Sequence, residues 1–171
     1  MVRLKFLLAT LLVLLLTGAA ADTPMRIAVA SNFFMPLKQA VADYRRQSPD
    51  AAEITLSVGS TGKLFAQIRQ GAPFDLFFAA DEARPLRLHT EGFTIGANQP
   101  YTLGQLVLWH PQNLNDVSLP ERLHGVRRIA MPNPALAPYG LAAEQTLKYL
   151  GLGQELAAQM VKTENVGQGY A

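Results

Sequence analysis

The stretch Ile54-Thr55-Leu56-Ser57-Val58-Gly59-Ser60-Thr61-Gly62-Lys63-Leu64-Phe65-Ala66-Gln67-Ile68 (54–68) changes its hydrophobic period in the middle. Up to Val58 it alternates and carries β-branched residues, the pattern of a strand. From Gly62 onward Leu64, Phe65 and Ile68 fall on one face of a helix, which Gly71 and Pro73 stop. A strand that runs into a helix through a few small residues is the building unit of a parallel sheet with helices on its faces.

The same alternation continues on both sides. Arg26 to Ala30 is a short apolar run, read as a buried strand. Leu37, Ala40, Val41 and Tyr44 then recur at i, i+3, i+4 and i+7, and Pro49 ends that helix. Downstream, Asp75 to Ala80 reads as a third strand and Glu82 to Thr90 as a helix. A stretch rich in Gly, Asn and Pro follows from Gly92 to Pro100. Leu103 to Trp109 reads as an extended apolar strand, Leu119 to His124 as a short helix and Arg128 to Met131 as a strand. A Pro-punctuated loop covers Pro132 to Pro138, with helices over Gly140–Leu150 and Gln154–Val161. The expected architecture is α/β: two α/β lobes, 22–100 and 101–171, crossing near residues 98–104, with a ligand cleft between them. Gly169-Tyr170-Ala171 follows the start of another helix without a cap or stop signal, so the expected fold has a C-terminal part that is missing here.

Arg3 and Lys5 precede an apolar run from Phe6 to Leu16, and Ala19-Ala20-Ala21 offers a small-residue cleavage site before Asp22. This is the build of a cleaved secretory signal peptide over residues 1–21, and the run is short for a membrane span. Without the two basic residues of that leader, the 15 basic and 13 acidic side chains become thirteen of each. The isoelectric point near 9.0 therefore leans on the leader and gives no support for a nucleic-acid partner. Cysteine is absent, which excludes disulfides, thiolate metal sites, a cysteine nucleophile and a lipid anchor at the cleavage site. The expected location is periplasmic, unanchored.

Four segments share one design, a strand or loop end, then small or hydroxyl residues, then a helix start. They are Ala30-Ser31-Asn32, Gly59-Ser60-Thr61-Gly62, Ala137-Pro138-Tyr139-Gly140 and Asn165-Val166-Gly167. Each would present main-chain N–H groups at the positive end of a helix dipole, and Ser or Thr adds a hydroxyl donor. In open α/β sheets such turns lie outside the carboxyl ends of the strands, where ligands bind. The same residues also serve as ordinary helix N-caps. The phosphate-loop spacing G-x-x-x-x-G-K-[ST] is absent, since Leu64 follows Lys63.

Four segments in succession, Met25–Asn32 (MRIAVASN), Val58–Gln70 (VGSTGKLFAQIRQ), Gly71–Asp81 (GAPFDLFFAAD) and Asn133–Ala143 (NPALAPYGLAA), resemble the periplasmic molybdate-binding proteins of ABC transporters. The resemblance runs from about residue 25 to the end. It implies a class II periplasmic binding-protein fold and capture of molybdate, with tungstate accepted as well, for a membrane permease. Carried over by residue, it places hydroxyl donors at Ser31 and within Ser60-Thr61, a further donor at Asn32, and main-chain donors at Tyr139 and Val166. No catalytic residue and no cofactor are implied, and molybdenum enters only as the bound oxyanion. A monomer is expected.

An all-donor site suits a proton-free dianion. Phosphate keeps a proton near neutral pH and needs an acceptor, and sulfate is smaller than molybdate. Competing readings are a receptor for sulfate, phosphate or another small oxyanion, a secreted serine hydrolase using Ser31 or Ser60, and a sensory module. G-x-S-x-G is absent, and His89, His110 and His124 share no ligand or triad spacing. Asp75 and Asp81 are expected to cap turns. Phe77, Phe78 and Trp109 are expected in the core, and Arg45-Arg46 at a solvated helix end.

Overall fold

The computed structural model describes residues 23–112 and 117–171, so the expected leader at 1–21 lies outside the described residues. The first sheet has three parallel strands in the order β2-β1-β3, with β1 at Met25–Ala30, β2 at Ile54–Gly59 and β3 at Leu76–Phe78. Ile27 to Ala30 are buried because β1 is paired on both edges, which is why it reads as a continuous apolar run. Its connections are helices: α1 (Phe34–Gln47) after a 3-10 turn at Ser31–Phe33, and α2 (Thr61–Arg69) after β2. A third helix, α3 (Ala83–Thr90), follows β3.

The core of this sheet joins Ile27, Val29 and Leu37 to the partly buried Phe33, Val41, Leu56 and Phe78. The expected face of α1 is only half used, since Leu37 and Val41 pack inward while Tyr44 stays 50% exposed. Arg45 and Arg46 occupy the exposed last turn, next to the helix's negative end.

The second sheet pairs β4 (Ile129–Pro132) with β5 (Met160–Thr163), again in parallel. The short helix α4 (Leu119–Leu123) precedes it. Between its strands runs α5 (Pro138–Tyr149), closed at Gly151, whose φ of 72° is the left-handed conformation that favours glycine. A five-residue helix, α6 (Val166–Tyr170), follows β5. Gly140 seats α5 on β4: a side chain there would collide with the Pro132 carbonyl oxygen.

Four expectations need correction. The helix expected over Gln154–Val161 is instead a turn, a 3-10 turn at Ala157–Gln159, and then β5. The β-branched Val161 and Thr163 pair with Ala130 and Pro132, and that pairing overrides the local helical composition. Leu103 to Trp109 carries no regular secondary structure and pairs with no strand among the described residues. Trp109, expected in the core, is 60% exposed, with its ring edge against Tyr170. The third strand is also shorter than Asp75–Ala80, because the groups at both ends have other partners. The Asp75 carboxylate accepts from the Arg26 N–H at 2.6 Å. The Ala79 carbonyl accepts from the Tyr101 hydroxyl at 2.6 Å, and the Ala80 N–H donates to Thr61.

Among the described residues, no helix is long and apolar enough to cross a membrane.

Candidate functional site

Register decides what meets at the ends of the strands. Ala30 stands opposite Gly59 in β1 and β2, so Ser31 and Ser60 emerge side by side. Val29 stands opposite Phe78, which brings Ala80 to the same edge. In the second sheet Pro132 stands opposite Thr163, and the chain leaves both strands into the loops that precede α5 and α6. The two edges face each other. Gly62 N–H donates to the Leu136 carbonyl at 2.8 Å, and the Lys63 ammonium meets the Glu164 carboxylate at 2.8 Å.

Between these edges lies a small cavity of about 10 Å3, about the room of one water molecule. Ser31, Asn32, Ser60, Thr61, Tyr139 and Val166, the six residues singled out from the sequence, all line it. Each of the four helix-preceding turns contributes.

The side chains are already oriented. Thr61 is 1% exposed, and its hydroxyl oxygen accepts from the Ala80 N–H at 3.0 Å. That of Ser31 accepts from the Gly167 N–H at 3.4 Å. With a main-chain donor on the oxygen, each hydroxyl proton is left for a guest. Ser60 is 2% exposed and caps α2, accepting from the Lys63 N–H at 3.4 Å. Asn165 caps α6 by accepting from the Gln168 N–H at 3.0 Å. The amides of Thr61, Tyr139 and Val166 find no acceptor among the described residues, as expected for first-turn N–H groups. Buried side-chain polar atoms all have partners among the described residues, so the uncommitted donors at the cavity are main-chain amides and hydroxyl protons.

Every lining residue is uncharged. The wall therefore holds no carboxylate to accept a proton from a guest and no cation to supply counter-charge. The histidines do not line it, so neither Ser31 nor Ser60 has a general base within the cavity. Among the described residues no group of three His, Asp or Glu side chains could hold a metal ion. Asp75 and Asp81 cap the turns around β3: Asp81 accepts from the Arg84 N–H at 3.0 Å.

A much larger hollow, about 700 Å3, opens beside β2 and α2. Its walls come only from residues between Ser57 and Phe74, one segment of one sheet's surface. Donors from the second sheet do not reach it, so size here does not mark the chemistry.

Sequence reasoning missed Ala80, whose amide fixes the Thr61 hydroxyl. The signal available was the run Asp75–Ala80 itself, since a third parallel strand must end at the same edge.

A family model described as bacterial extracellular solute-binding protein matches residues 25–171. The chain belongs to that family. Solute binding, not catalysis, is what defines its members. Within the family, the chain is 34% identical over 159 residues to the molybdate-binding protein ModA of Azotobacter vinelandii, covering 91% of this chain and 62% of that one. It is 33% identical over 165 residues to the molybdate-binding protein ModA of Rhodobacter capsulatus, covering 95% of this chain and 64% of that one. The solved structure of the Azotobacter vinelandii periplasmic molybdate-binding protein superposes with a TM-score of 0.78 at 37% identity, covering 85% of this chain and 64% of that chain. The chain thus spans somewhat under two thirds of the length of these relatives. The fold is the expected one, two α/β lobes built on parallel sheets with the cleft between them.

Proposed function

We propose that this solute-binding protein captures molybdate, and tungstate equally well, outside the cytoplasm and delivers it to the membrane permease of an ABC importer. The observation that carries the reading is the small, uncharged cavity ringed by hydroxyl and main-chain donors from both sheets. The names of the two molybdate-binding relatives support it.

In this reading Ser31 and Thr61 donate through their hydroxyls, and Tyr139 and Val166 through their amides. Asn32 and Ser60 complete the ring. Hydrogen bonds to a charged group are worth roughly 1.5–3 kcal/mol each, so about six of them offset the desolvation of a dianion without a cationic side chain. The donors are fixed before the guest arrives, which lowers the cost of ordering them. A cavity this small excludes sugars, peptides and nucleotides.

The reading extends to the rest of the chain. Residues 22–100 form the first lobe and 101–171 the second, and residues 1–21 are a cleaved export signal. The protein acts as a periplasmic monomer with no cofactor and no enzymatic activity.

Thermal unfolding in equal concentrations of molybdate, tungstate, sulfate and phosphate tests the proposal. A ligand at a hundred times Kd adds about 2.7 kcal/mol of stability. Large, similar shifts with molybdate and tungstate and none with the other two are expected. Equal shifts with sulfate or phosphate would replace molybdate by a broader oxyanion specificity.

A further inference from the structure

Lys63 is the third residue of α2, two positions beyond Thr61. Glu164 immediately precedes Asn165, the cap of α6, and Val166. Their side chains meet at 2.8 Å across the junction of the two sheets, yet neither residue lines the cavity. Glu164 sits in a small closed ring of bonds. Its own N–H donates to the Gln168 side-chain oxygen at 2.7 Å, and the Gln168 N–H returns to the Asn165 side chain at 3.0 Å. Whatever holds Glu164 therefore holds the segment that carries the Val166 amide.

We infer that Lys63 and Glu164 form a closure latch, a positioning pair that holds the Val166 segment over the cavity. The inference rests on the anion-capture reading for the identity of the guest. Both side chains remain about half exposed, at 52% and 41%, so water competes for the pair and it opens readily. A permanent clamp would prevent release; a half-exposed ion pair does not. It also works beside two contacts to main-chain carbonyls, Gly62 N–H to Leu136 O and the Arg84 guanidinium to Ala135 O at 3.0 Å, which bring the same edges together.

The pair makes a prediction that a purely long-range charge effect does not share. If these charges only tuned the field felt by a dianion, Glu164→Gln would tighten binding and Lys63→Met would weaken it. A latch loosens in both. Kd and dissociation rates for molybdate should be measured for the wild type, Lys63→Met, Glu164→Gln and the exchanged pair Lys63→Glu/Glu164→Lys. Each single variant should weaken binding by about two- to fivefold, mostly through faster dissociation, and the exchanged pair should recover most of the loss. The difference from wild type should shrink in high salt. Opposite signs for the two single variants, or unchanged dissociation in both, would overturn the latch.

Amide hydrogen exchange without any anion separates this inference from the function it rests on. Gly62 and Gly167 donate across the junction, and both should exchange faster in each single variant. Should the wild type take up no molybdate, the capture reading fails while exchange still decides the latch. Unchanged exchange at both glycines would overturn it.

Discussion

The main-chain N–H of Gly167 donates to the hydroxyl oxygen of Ser31 across 3.4 Å, joining two residues 136 positions apart. One sheet's first turn is thereby tied to the other sheet's last helix at the rim of the cavity. The bond also fixes the polarity of Ser31, whose oxygen is engaged and whose proton is available.

Ser31→Ala should therefore weaken anion binding by about ten- to a hundredfold, the equivalent of one hydrogen bond to a charged group. Titration calorimetry with molybdate checks this. The anion-free protein should melt within a degree or two of wild type, because the 3.4 Å bond it loses lies at an exposed rim.

Thr61 and Ser60 separate on different grounds. Thr61→Val keeps the shape but strands the Ala80 N–H, so it should cost about 1–3 kcal/mol of stability as well as binding. Ser60→Ala removes a helix cap and should cost about 0.5–2 kcal/mol of stability. Binding should fall further in Thr61→Val than in Ser60→Ala. Paired denaturant and calorimetric titrations of the two variants decide it.

Gly62 lies where the sheets touch. A Cβ there would sit 2.8 Å from the Leu136 carbonyl oxygen and 3.0 Å from its Cα, both main-chain atoms that cannot rotate aside. Gly62→Ala should lower the stability of the anion-free protein, because one of the two main-chain segments must shift. The stabilisation that molybdate brings should be lost, and thermal unfolding with and without the anion reads both effects.

How far these contacts could be foreseen follows from their physical origin. The change of period at Val58–Gly62 and the apolar run of β1 are local signals, and they located the first two strands and the turns after them. Parallel pairing then carries Ser31, Ser60 and Ala80 to one edge, a consequence of register that strand ends foreshadow. Between Ser60 and Thr61 the resemblance favours Thr61 with Ser60 close behind, because adjacent hydroxyls in one turn differ only by which amide reaches them. Gln154–Val161 misled for the opposite reason: its composition suits a helix, and only the distant partner Ile129–Pro132 makes its end a strand. Leu103–Trp109 has the composition of a strand, but composition does not name a partner.

Tyr101 offers a pH test. Its ring lies against Phe33 and Phe78, and its hydroxyl donates to Ala79 O. Burial, with a smaller contribution from Tyr139, raises its pKa above the ordinary 10.0. Between the unfolded and folded values the native state holds the extra proton, so this contribution is whole below pH 10 and fades as pH rises through the folded value. Wild type should lose stability from about pH 10 upward more steeply than Tyr101→Phe. Urea titrations of the two proteins between pH 8 and 11.5 measure the difference.

The most direct test is a crystal structure grown with molybdate and phased at the molybdenum absorption edge. The metal should appear once, in the cavity between the sheets, with its oxygens in hydrogen-bond reach of the Ser31 and Thr61 hydroxyls and the Tyr139 and Val166 amides. Molybdenum in the open groove between Ser57 and Phe74, with the inter-sheet cavity holding none, would contradict the account.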